Sequence, residues 1–509
     1  MVVWPDCLIA LIGVGRLVAV NEVIFQVERL YLNHNQLNHV TDVSFIMDSL
    51  PKLSLLDLSD NEIRDIPFGA LRGYPALERL YLSNNQIGHI SRDALADLPS
   101  LAELDLSRNK LIADAMEGHI FNLPRLEALN LSSNKLSRLN RRILSNVGDL
   151  RHLDVSHNGI TKVDEDSLSS VANLHFLNIS FNNIREFEPR TFAGLGRLAE
   201  LDAGHNELVA LSDSLLGDQT GLERVSFAHN QLQLVSSRLL PGRNKIEELD
   251  LTANFITDFP EDLINKLTRL QQLHINQNAV RRLGRNAFRG LGELEVVDMH
   301  DNRIDFIEAD AFEDLRSLKS LDLSLNIIRS VGDNLDSLPG IMKLNLSDNY
   351  ITSLPRNAFH SLRKLSTLDI SNNTIVDIEG AFVDMPELKY LDLSHNHLPE
   401  VKEGAFRELP SLVALQLDHN SIVKLEPGSF RNVRNLETVT LNKNGIPSVV
   451  RNAFRDMPSL EVVRLDDNLI EVVEDRALVD LYSLKELHLQ HNLIEGINER
   501  AFVNIHSLR

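Results

Sequence analysis

The sequence predicts an α/β solenoid, in which short parallel strands stack coil on coil into a concave sheet and short helical or irregular segments return along the convex side. Three observations carry this expectation. The pattern LxxLxLxxNxL recurs along the chain, its asparagine returning every 24 residues except for single intervals of 26 and 25 and two of 23. Within each copy the apolar positions alternate, as Leu129 and Leu131 do around Asn130, which is the period of a strand with one buried face. About ten residues further on, pairs such as Ala287-Phe288, Ala311-Phe312, Ala358-Phe359, Ala405-Phe406 and Ala453-Phe454 supply a small and a large side chain for the inside of the return.

Residues 1–20 come first and do not fit the repeat. Their apolar run from Leu8 to Gly15 is too short for a membrane span, and Asp6 sits where a signal peptide carries positive charge. They read as a signal peptide or a degenerate cap. From residue 21 to 509 the chain is one array of about twenty repeats, with asparagines at Asn35, Asn61, Asn85, Asn109, Asn134, Asn158, Asn182, Asn206, Asn230, Asn254, Asn278, Asn302, Asn326, Asn349, Asn373, Asn396, Asn420, Asn444, Asn468 and Asn492. Each stands where the chain leaves a strand, and its amide is placed to bond backbone groups of its own and the neighbouring coil. Phe288, Phe312, Phe359, Phe382, Phe406, Phe430, Phe454 and Phe502 share the buried slot of the return. A single coil buries too little to order itself, so stability has to come from stacking. The array is expected to be truncated at its C-terminus, because Leu508 takes the first leucine slot of a further strand.

Composition narrows the function. The chain of 509 residues carries 51 Lys plus Arg against 72 Asp plus Glu, a formal charge of −21, which disfavours nucleic acid and anionic membrane surfaces. Cys7 is the single cysteine, so no intrachain disulfide or thiolate cluster can form. No G-x-S-x-G, Walker loop or HExxH motif occurs, and no catalytic residue, cofactor or metal is expected.

The repeat, with LxxLxLxxNxL followed by AFxxLPxL returns, resembles the leucine-rich repeat in its extracellular 24-residue class. The uniform stretch MPELKYLDLSHNHLPEVKEGAFRELPSLVAL, residues 385–415, is most similar to chaoptin and related arthropod cell-surface adhesion proteins. The resemblance implies a leucine-rich repeat horseshoe and a non-enzymatic extracellular or cell-surface module that binds protein, in adhesion. It also implies a protein ligand or adhesion partner, homophilic binding included, and membrane attachment only through an anchor missing from this chain. Toll-like receptor ectodomains and secreted guidance or carrier proteins share the repeat and stand as alternatives. The lone cysteine keeps a cytosolic interaction scaffold open as a further one. The chain lacks the cysteine-rich caps usual in secreted members.

Candidate binding residues occupy the outward slots. The slot four before each ladder asparagine is aspartate in nine coils. Asp202, Glu223, Glu247, Glu248, Asp250, His274, Glu295, Asp298 and Asp322 form the expected acidic sector for a basic partner, offset by Arg224. Four N-x-S/T acceptors, Asn130, Asn178, Asn345 and Asn372, are glycosylation candidates. Tyr31, Tyr81, Phe176, Phe181 and Tyr390 are candidate exposed anchors. Histidines recur just before the ladder asparagine, and the pairs His205/His229 and His395/His419 are expected about 5 Å apart across the stack. In the stretch YLDLSHNHLPEVKEGAF the residues Asp392, His395, His397 and Glu400 are close because one coil's polar slots are close.

Overall fold

A computed structural model describes residues 26–43, 50–91, 93–113, 122–331, 335, 337–406 and 409–508. The segment read as a signal peptide or cap lies outside these residues. The chain divides into two units, Met1–Phe255 and Ile256–Arg509, and each is a parallel β-solenoid.

In the first unit ten three-residue strands run from Arg29–Tyr31 to Glu248–Asp250, each paired in parallel with the strand of the next coil. The second unit repeats the arrangement in ten strands from Gln272–His274 to Glu486–His488. Register is uniform: Leu177 opposes Leu201, and Asn178 opposes Asp202. The middle residue of the strand points into the core, as Leu56, Leu153, Leu273 and Leu415 do with no exposed surface, while its neighbours face outward except for the buried Leu55. Equivalent slots therefore form straight rows at strand spacing, about 4.8 Å.

The returning segments are irregular almost throughout. Among the described residues a whole helix occurs only at Glu261–Ile264, four residues long. Left-handed residues inside the returns, including Asn146 (φ 63°), Asp310 (φ 65°), Asn357 (φ 61°) and Asn452 (φ 59°), interrupt helical geometry before a second turn can form. Some returns also pair as two-residue strands, for example Arg138–Leu139 with Lys162–Val163 and Ser448–Val449 with Val472–Val473. Phenylalanine rings stack along the second unit, with centroids 6.2 Å apart from Phe382 to Phe406, 6.1 Å from Phe406 to Phe430 and 5.2 Å from Phe430 to Phe454. Phe502 departs from its expected buried slot: it is 38% exposed.

The asparagines join successive coils. Asn396 donates from Nδ2 to the carbonyls of Leu393 and Ser394 in its own coil, each at 3.2 Å, and of Ile370 in the coil before, at 3.0 Å. Its Oδ1 accepts the Ile375 N–H at 3.0 Å. Asn61, Asn182 and Asn468 make the same set of bonds with their own neighbours. Immediately before every ladder asparagine the backbone is left-handed, with φ between 49° and 55° in all twenty coils. Aspartate, asparagine and histidine accept this conformation more readily than other side chains, which accounts for their frequency there. Leu325 (φ 53°) gains nothing in exchange, being 49% exposed. Leu325→Asn should raise stability by up to about 1 kcal/mol, read as a higher urea midpoint at unchanged slope.

Candidate protein-binding face

The aspartate slot ends each strand, and one carboxylate oxygen there is already committed. Asp57 Oδ1 accepts both the Ser59 N–H at 3.0 Å and its hydroxyl at 2.6 Å. Asp154, Asp250 and Asp392 accept the N–H two residues on, each at 2.9 Å. Aspartate thus closes the turn with one oxygen and turns the other towards the outer face. The repeated D-x-S spacing was the available signal for this role. Asparagine does the same at two glycosylation candidates: the Oδ1 atoms of Asn130 and Asn178 accept the hydroxyls of Ser132 and Ser180, leaving Nδ2 outward. At Asn345 the Oδ1 accepts from Ser347, and Nδ2 donates to Asp322 Oδ2 at 3.1 Å. Asn372 is exposed on the left-handed turn instead.

The acidic candidates fall in both units. In the first, Asp202, Ser226 and Asp250 follow one another in register, as do Glu200, Arg224 and Glu248. Arg224 takes one carboxylate for itself, bonding Glu200 at 2.7 Å and 3.0 Å, and that hydrogen bond with the charge beside it raises the guanidinium pKa further. Glu248 and Asp250 are half-buried on the face, and Glu223 and Glu247 flank them. Burial is the main influence on Asp202 and pushes its carboxyl up, with the Asp250 charge adding to it. In the second unit His274 and Asp298 are register partners, as are Asp298 and Asp322. Lys319 claims Glu295 at 2.7 Å, and His300 Nδ1 lies 2.7 Å from Asp298 Oδ1.

Beside the first unit's carboxylates lies a row that sequence reasoning only half found. His157, Phe181, His205 and His229 occupy the slot before the ladder asparagine in four successive coils. Their rings stack face to face, with centroids 4.1, 3.9 and 4.0 Å apart and planes within 13° of parallel. The His205/His229 pair was read from the spacing; the recurrence of the slot at 157 and 181 was the unused signal for the rest. Burial, followed by the His229 charge, pushes His205 below the ordinary histidine value. Phe181 is 42% exposed, so the row is a solvent-facing aromatic surface held on a fixed backbone. Of the other candidate anchors, Tyr31 and Tyr390 are exposed, while Tyr81 and Phe176 are half-buried.

His395 and His419 stack in the same way in the second unit, 4.0 Å apart. Asp392 is half-buried one slot away, where burial raises its carboxyl pKa, and Glu400 belongs to a separate two-residue strand. No helix among the described residues is long and apolar enough to cross a membrane.

Several solved structures share this architecture. The chain superposes on a leucine-rich repeat protein of Leptospira interrogans with a TM-score of 0.65 and 21% identity, covering 82% of this chain and 96% of that one. It superposes on a chain of the Toll–Spatzle complex of Drosophila with a TM-score of 0.71 and 22% identity, covering 88% of this chain and 61% of that one. The plant peptide hormone receptor RGFR1 in complex with RGF2 gives a TM-score of 0.60 and 23% identity, over 92% of this chain and 78% of that one. The leucine-rich repeat family model matches residues 25–87, 51–111, 113–160, 149–208, 244–304, 292–349, 339–398, 410–470 and 458–509. With that match spanning most of both solenoid units, the chain belongs to the leucine-rich repeat family.

Proposed function

We propose that this protein is a non-enzymatic recognition module that binds protein at the cell surface, in adhesion, through the sheet face and adjoining turn row of its first unit. The observation that carries the reading is the four-ring stack from His157 to His229, set beside Asp154, Asp202 and Asp250. Stacked rings on a fixed backbone lose little side-chain freedom on binding, and aromatic groups supply much of the contact energy in protein interfaces. The carboxylates beside them select a basic partner surface and speed encounter. Toll and RGFR1, solved with Spatzle and RGF2, are fold relatives whose complexes are with other molecules, which supports a binding role without assigning a ligand here.

Glycans on Asn130 and Asn178 would lie along the same face, the second directly beside Asp202 in register, and would leave His205, His229, Asp202 and Asp250 as the part of the row most open to a partner. A displayed form, fused to a membrane anchor on non-adherent cells, tests adhesion by clustering. Clustering is expected, and its absence counts against adhesion and in favour of a soluble ligand. The paired substitution Glu248→Lys and Asp250→Ser should reduce clustering at least tenfold, because it removes both charges while serine, as at Ser226, can still accept the turn N–H that Asp250 accepts now.

A further inference from the structure

One coil of the second unit combines two slots into a different site. Two residues past the strand many coils place serine, as at Ser59, Ser107, Ser156, Ser324 and Ser394; the slot holds aspartate at Asp418 and at Asp466, and of these Asp418 alone is followed by a histidine, His419. Its side chain is 17% exposed. One oxygen accepts the Thr440 hydroxyl at 2.7 Å, and the other lies 2.8 Å from His419 Nδ1. A carboxylate at that distance orients the His419 ring by its Nδ1 edge, which turns Nε2 away from Asp418 as the atom available to a metal ion.

His395 stands one coil earlier in the same slot, its ring cofacial with His419 at 4.0 Å and 15°. One ring nitrogen of each histidine and a carboxylate oxygen of Asp418 lie within 4.8 Å of one another. Left-handed backbone, φ 53° and 52°, next to ladder asparagines holds the two histidines in successive coils, and turning the exposed His395 ring out of the stack brings its in-plane lone pair towards that of His419. The first unit's His205/His229 pair has the same stacking but carries glycine and alanine, Gly204 and Ala228, where Asp418 would be. That contrast separates a ligand set from a mere stack.

We propose that His395 and His419 bind one divalent transition-metal ion of the zinc, copper or nickel kind, with Asp418 as the positioning residue that orients the His419 ring. Imidazole donors favour these ions over calcium or magnesium, which take oxygen ligands. Two imidazoles leave coordination positions open, so water or a donor from a partner completes the shell. The site lies in the second unit and does not depend on the protein-binding reading of the first.

Zinc chloride titrated calorimetrically into the full chain, in a non-chelating buffer, tests this. A one-equivalent binding event is expected that disappears in His395→Gln and in His419→Gln and persists in the control His205→Gln. Asp418→Asn should weaken it about 10- to 100-fold, as loss of an orienting carboxylate does, and Asp418→Glu should recover part of the loss. Copper(II) bound to the native chain should show electron paramagnetic hyperfine structure from two imidazole nitrogens, a readout that needs no variant to fold. Zinc binding unchanged in the double variant His395→Gln/His419→Gln, no binding by the native chain, or a copper spectrum without two nitrogens would each overturn the proposal.

Discussion

Phe406→Ala will destabilise the second unit by about 3 to 5 kcal/mol, the cost of removing a large aromatic from a close-packed core. Phe406 has no exposed surface, and its ring is stacked between Phe382 and Phe430, 6.2 Å and 6.1 Å away. The cavity would therefore be lined by two other phenylalanines, each of which loses a neighbour. Because coils contact only those before and after them, neither side can collapse far to fill it. Phe502→Ala supplies the internal control. Its ring is 38% exposed, and the same truncation there should cost markedly less, about 1 kcal/mol or under. Urea unfolding followed by circular dichroism compares the two directly. Equal shifts in midpoint would show that the aromatic row adds nothing beyond its own area.

Asn396→Ala should cost about 2 to 4 kcal/mol, although the side chain is small and uncharged. Asn396 is 2% exposed and makes four hydrogen bonds across two coils. Alanine leaves the Ile375 N–H without the acceptor it has now, and an orphaned buried backbone donor carries the full desolvation penalty. Asn396→Asp should be at least as damaging at pH 7, since a buried carboxylate would face the carbonyl oxygens of Ile370, Leu393 and Ser394. Asn35 is the gentler case: it is exposed, and it donates to Leu32 and Asn33 in its own turn. Asn35→Ala is expected to shift the midpoint by less than half as much. The same urea series, with both alanine variants, checks the ordering.

How far the sequence could be read follows from what a period reveals. Spacing gives each residue an address, so the strand slots, the ladder and the closeness of His205 to His229 were legible in the sequence, while the stacking of their rings was not. Conformation within a slot was less so. The left-handed turn before each asparagine is marked only by a surplus of histidine, aspartate and asparagine, and Leu325, Ala253 and Phe181 obscure even that. Pairing across coils was harder again. Arg224 with Glu200 and Lys319 with Glu295 join residues about one coil apart, so a list of acidic positions overstated the free carboxylate. Asp418 was missed for the same reason: its slot varies from coil to coil and is aspartate again at Asp466, while its partners are in the same turn and the coil beyond. The returns read as short helices or irregular chain, and only left-handed residues such as Asn357 decide between the two.

The first unit's face is the central assignment, and a glycan wedge tests it without disturbing the core. Ser226 lies between Asp202 and Asp250 in register. The double substitution Ser226→Asn and Ala228→Ser creates the same Asn-x-Ser arrangement that Asn130 and Ser132 already hold in the fold. Expressed in the displayed, clustering form, with the added glycan confirmed by mass, this variant should lose clustering while keeping the native unfolding midpoint. Clustering at the native level with the glycan in place would contradict the assignment.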